Sequence, residues 1–216
     1  MGVKHVALLL GMLGAAPAAA QESAQVKLVV QQGGREIGRE EFTLRQGRGR
    51  GSPGTTLTAT ARYPATSATS QLAATLERTA ESGVAKFQLE VDSPAGPTVI
   101  LAAGSGARLI VRTVAKGSES GREMAGGPDV VLLDDQVFSL YAAVADLATP
   151  AGKSLNAIFP RTGRRASLTA QRESGDAGAI RVALTGDIAG TLVTDSDGRL
   201  RRLELPGENI VVRRAE

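Results

Sequence analysis

The sequence predicts a mainly β fold: a curved antiparallel sheet, either a barrel or a half-barrel or sandwich, of roughly ten to thirteen short strands. One central helix is expected over about residues 134–148. Three observations lead there. Apolar residues recur with a period of two along most of the chain, turn residues fall between those runs, and one stretch alone has helical spacing.

The alternation is cleanest over 56–63. Leu57, Ala59, Ala61 and Tyr63 share one face, and Thr56, Thr58, Thr60 and Arg62 the other. Over 85–92, Ala85, Phe87, Leu89 and Val91 oppose Lys86, Gln88, Glu90 and Asp92. Similar runs cover 26–31, 72–77, 107–115, 165–171 and 180–184. Successive strand side chains point to opposite faces, so each run has one dry and one wet side. Antiparallel sheets read this way, whereas strands of a parallel sheet are covered on both faces and read as continuous apolar runs. Gly33-Gly34 and Asp197-Gly198 are hairpin signals, and 93–97 and Pro206-Gly207 are further breaks. The stretch 116–128, rich in Gly, Ser and Glu, reads as a linker or a long hairpin loop, and 46–54 as flexible by composition.

The exception lies near the middle. Val137, Phe138, Tyr141, Val144, Ala145 and Ala148 fall at helical spacing. Asp134 or Asp135 is placed to cap the first turn, and Thr149-Pro150 stops the helix. Few charges interrupt it, so most of its surface is expected to be covered by the sheet. The inward faces carry many Ala and few aromatics, with four Phe, two Tyr and no Trp in the chain. Either the sheets approach closely, with small residues opposite large ones, or the interior holds a cavity. Close packing of interiors favours the filled core.

The first twenty residues read as a cleaved bacterial-type signal peptide. Lys4 and His5 make a basic start, 6–13 is an apolar run, and Ala18-Ala19-Ala20 precedes the expected cut before Gln21. The run is shorter than the ~20 residues of a membrane span, so no transmembrane anchor is expected. A single β-rich domain is expected over 21–216, in the periplasm or the medium. Loss of Lys4 takes Lys+Arg from 25 to 24 against 22 Asp+Glu, leaving a charge of about +2. So small a charge makes no case for nucleic acid. The Arg clusters (45, 48, 50; 161, 164, 165; 199, 201, 202; 213, 214) lack the aromatics that stack bases.

The chain has no Cys, and its one His lies in the signal. The expected mature chain therefore has neither imidazole nor thiol, which excludes Ser-His-Asp and Cys-His nucleophilic systems and His-ligated zinc. No Ser-x-x-Lys or Gly-x-Ser-x-Gly occurs. The opening of a calcium loop at Asp195-Ser196-Asp197-Gly198 fails because Pro206 stands where the closing acid belongs. Glu40-Glu41 lies in a strand, with its two side chains on opposite faces, and reads as solvated. No catalytic residue, metal or cofactor is expected. Asp134 and Asp135 are the one candidate acid site, set against their simpler role as a helix cap.

A "GREIGREEF" hairpin, "LLDDQVFSLYAAVADL" at the centre, "LNAIFPR" and a closing "TDSDGRLRRLELPGENIVVRR" follow in order. In these elements the chain resembles uncharacterised secreted or periplasmic bacterial β-domains, some of which precede an α/β-hydrolase domain. The resemblance implies a β-sheet domain over nearly all of the mature chain and carries no catalytic residue. The chain ends at Glu216, so no attached hydrolase is expected. The reading that follows is a non-catalytic binding or accessory module of the cell envelope, holding an apolar ligand or an envelope partner. Leu57, Ala59, Ala61, Phe87, Leu89, Val137, Tyr141 and Val144 are the expected lining. A carboxylate-dependent hydrolase and a purely structural interaction module are the alternatives.

Overall fold

The computed structural model describes residues 24–47, 54–174 and 178–215. The expected signal segment, Arg48, Arg50 and most of the 46–54 stretch lie outside the described residues.

Fifteen strands form one open sheet. A first meander holds β1 (Val26–Gln32), β2 (Arg35–Gln46), β3 (Thr55–Tyr63), β4 (Ser70–Arg78), β5 (Val84–Asp92), β6 (Thr98–Ser105), β7 (Arg108–Ala115) and β8 (Ser118–Ala125). A second holds β9 (Val130–Leu132), β10 (Lys153–Phe159), β11 (Arg164–Glu173), β12 (Ala179–Gly186), β13 (Gly190–Asp195), β14 (Leu200–Leu205) and β15 (Ile210–Arg214). β1 pairs with β15, which joins the two meanders at the centre of the sheet and leaves β8 and β9 as its edges. Every pair is antiparallel except β9 with β10. The fold is thus the expected curved antiparallel sheet, not closed as a barrel, with more strands than the expected ten to thirteen.

This topology explains the unusual centre of the chain. The first meander ends at one edge of the sheet and the second begins at the other, so the connection must cross between them. It crosses through the concave side. β9 lies against β5, and a 3₁₀ turn over Phe138–Tyr141 lies against β2 and β14. Helix α1 (Ala142–Leu147) then packs on β11 and β13. A segment covered on all sides must be apolar all round. Val130 to Leu133 and Val137 to Ala145 are buried without a break, with Ser139 the one polar residue among them. The helix is shorter than the expected 134–148. Asp134 instead forms an isolated bridge with Val137, and a 3₁₀ turn precedes the α-helix proper.

The strand faces follow the sequence period. Leu57, Ala59, Ala61 and Tyr63 of β3 point inward, as do Phe87, Leu89 and Val91 of β5, and all belong to one core that also contains Val137, Tyr141 and Val144. The marked turns stand where expected. Gly33-Gly34 joins β1 to β2 with both residues at positive φ, and Gly198 turns the β13–β14 hairpin at φ +79°. Asp195 stabilises that hairpin by accepting the backbone N–H of Asp197 and Arg199 on Oδ1.

Small residues let the inner layer close. Tyr63 lies over Gly38 of β2, where an added Cβ would come within 2.1 Å of the ring. Gly38→Ala is therefore expected to cost about 1–3 kcal/mol by forcing the ring off its place. A urea titration that leaves the midpoint unmoved would refute the tight fit.

Candidate functional site

Two groups of buried polar residues hold the crossing segment inside the sheet, each built on one residue at an inward strand position, Glu40 in β2 and Arg78 in β4. In β2 the inward residues are Gly38, Glu40, Phe42 and, half-buried, Leu44. Glu40 is only 1% exposed, which corrects the expectation that it is solvated. Its carboxylate accepts the backbone N–H of Phe138 at 2.8 Å and of Ser139 at 3.0 Å, the first N–H groups of the 3₁₀ turn. These donors have no partner within the turn, so a carboxylate from the sheet supplies what a local cap would. Burial pushes the Glu40 carboxyl up to about 7, against the pull of the Ser139 hydroxyl and of both N–H groups, with Asp134 adding repulsion. The Ser139 hydroxyl lies near the carboxyl but outside hydrogen-bonding geometry.

Asp134 stands beside this group, 2% exposed. Arg161, from the β10–β11 turn, grips it with Nε on Oδ2 at 2.8 Å and Nη2 on Oδ1 at 2.9 Å. The third guanidinium nitrogen donates to Gln136 Oε1, and the backbone N–H of Gln136 donates to Asp134 Oδ1. Burial raises the Asp134 pKa and Arg161 opposes the rise. The Tyr63 hydroxyl is buried nearby without a hydrogen-bond partner. Its pKa is raised by burial first, then by the charges of Glu40 and Asp134.

Asp134 and Asp135 do not face one another as a catalytic pair. Asp135 is exposed and bound to Arg164 at 2.5 Å, and the Arg164 guanidinium lies 3.4 Å from the Phe159 ring centroid. Much of the remaining Arg content is similarly engaged: Arg199 with Asp197, Arg202 with Glu204 and Arg214 with Asp195. Among the described residues no three potential metal ligands gather.

The second group is at the other end of α1. The inward face of β4 runs Leu72, Ala74, Leu76 and then Arg78, which is 2% exposed. Arg78 donates Nη1 to Ala143 O in α1 at 3.1 Å and both Nε and Nη2 to Ser82 O. Asp146, half exposed, lies 3.6 Å from Nη1. Arg78 lines a cleft with Leu44, Leu57, Leu76, Ala142 and Ala143, together with Gln46, Thr55, Asp146 and Gly198. The room a water can occupy there is about 20 Å³, roughly one molecule.

Of the eight expected lining residues, Leu57 borders this cleft. Ala59, Ala61, Phe87, Leu89, Val137, Tyr141 and Val144 are packed in the core. The sequence gives Glu40 as solvated, does not single out Arg78, and gives Arg161 only as one of a cluster. For the first two the signal was present, since the period of two that turns Phe42 and Leu76 inward turns Glu40 and Arg78 inward as well. Nothing in the sequence marks Arg161 apart from the other arginines.

The functional reading rests on these residues, since no protein-family model and no curated protein matches the chain. Among solved structures, the chain is similar to a DUF1089 family protein from Pseudomonas aeruginosa, with 14% identity, 95% of this chain and 98% of that one covered, and a TM-score of 0.42.

Proposed function

We propose that this chain is an exported, non-catalytic binding module of the cell envelope, with a signal peptide over 1–20 and one domain over 21–216. The ligand is an apolar molecule or partner segment, taken up where α1 meets the concave face of the sheet. The observation that carries this reading is the apolar cleft of Leu44, Leu57, Leu76, Ala142 and Ala143, opening beside a six-residue helix inside a one-sided sheet. Two further facts support it. The proposed mature chain has no imidazole or thiol for nucleophilic chemistry, and the acids at the head of the crossing segment are each tied to an arginine. Among the described residues no helix is long and apolar enough to cross a membrane.

The test is to purify residues 21–216 from the envelope fraction of producing cells and extract them for mass spectrometry. Co-purifying lipid or another apolar compound, near one per chain, is the expected result. A ligand-free protein that also takes up no alkyl compound in titration would refute the reading.

A further inference from the structure

We infer that the cleft beside α1 selects anionic amphiphiles, with Arg78 receiving the head group. This rests on the proposed function and adds the ligand's charge to it. Arg78 is the one cation among the described residues of the cleft. A guanidinium has five N–H groups, and three of those of Arg78 are taken by the carbonyls of Ser82 and Ala143. Two remain, one on each Nη, with no acceptor in hydrogen-bonding range among the described residues.

The counter-charge is mismatched in place. Asp146 stands 3.6 Å away, beyond a hydrogen bond, and its side chain is 47% exposed while that of Arg78 is 3% exposed. The cation is desolvated and its partner is not, so the pair is weak for so buried a charge. A carboxylate or phosphate monoester carried in by an alkyl chain can accept both free N–H groups in the fork geometry that guanidinium favours. Asp146, already at the rim, swings out to water. The chain then lies along Leu44, Leu57 and Leu76 against the small side chains of Ala142 and Ala143. The room inside the cleft is about 20 Å³, enough for one water, so an alkyl chain enters only as α1 moves off Leu44, Leu57 and Leu76.

Decanoate and decanol separate the charge from the chain. Both are titrated into residues 21–216, followed by backbone amide shifts, at a pH where decanoate is ionised. Decanoate is expected to bind about tenfold tighter than decanol, the difference a charge-assisted pair supplies. The largest shifts are expected at Leu57, Leu76, Ala142 and Ala143. Asp146→Asn removes the competing carboxylate from a half-exposed position where folding is little affected. It is expected to tighten decanoate about threefold and leave decanol unchanged. Equal binding of acid and alcohol, an unmoved decanoate affinity in Asp146→Asn, or shifts confined to residues away from α1 would overturn the inference while leaving the binding module in place. No binding of either compound, together with a ligand-free preparation, would remove both.

Discussion

Glu40→Ala is expected to destabilise the fold by about 3–5 kcal/mol, because it strands two buried N–H groups, at about 1–3 kcal/mol each, and leaves a hole in the core. That is a large part of the 5–15 kcal/mol by which domains are typically stable. Glu40→Gln keeps one acceptor and the side-chain volume, so its loss is expected to be about half as large. The pair also differs in pH dependence. The Glu40 carboxyl sits at about 7 in the folded chain against 4.5 ordinarily, so between those values the folded state holds a proton that the unfolded state has released. Stability from this group is complete below about pH 4.5, falls as pH rises towards 7, and is flat above. The span of the decline is on the order of 3 kcal/mol. Asp134, whose pKa is also raised, adds a decline of the same sign. Urea titrations across this range should therefore show a midpoint that drops with pH in the parent and drops less in Glu40→Gln. A Glu40→Ala protein with the parent midpoint, or a Glu40→Gln protein with the same pH slope as the parent, would show that Glu40 does not hold the 3₁₀ turn.

Removing the Arg161 side chain is the second large effect. Arg161→Ala leaves Asp134 buried and without its counter-charge, for which about 3–5 kcal/mol is expected. Asp134→Asn is milder, since the amide oxygen still accepts the backbone N–H of Gln136 and no buried charge is left behind. In Asp134→Asn the further change Arg161→Ala should then cost far less than it does in the parent. The resulting coupling should exceed about 1.5 kcal/mol, as expected for residues joined by a buried charge pair. If the two changes simply add, the pair contributes no more than a surface contact.

Both effects fall on the segment that crosses the concave side of the sheet, and they show how far the sequence could be read. The strand faces were legible because one face of the sheet is dry, and a period of two records that directly in Leu57, Ala59 and Ala61 or in Phe87 and Leu89. β8 was not legible as a strand. As an edge strand it is exposed on both faces apart from Met124, so there is no alternation to find. β9 was hidden for the opposite reason. Its three residues are covered on both sides, and so short an apolar run has no period. The central helix is shorter than its apolar spacing predicts, since that spacing reports burial and does not say whether the backbone there is α or 3₁₀.

What the sequence by itself determined is the class of fold, the inward face of most strands, the position of the turns, and the lack of imidazole and thiol beyond the expected signal. Each is written locally, within the reach of a strand pair or a hairpin. Tertiary structure alone decided that the sheet stays open, that its edges are linked by a chain crossing the inside, and that Glu40 meets the N–H groups of residues 138 and 139. It likewise decided that Arg78 reaches Ala143 and that Arg161 reaches Asp134. Those contacts join residues 27 to 99 positions apart. The energy that fixes them is the cost of leaving a buried charge or N–H group unpaired, and which groups become buried together depends on how the whole sheet curls.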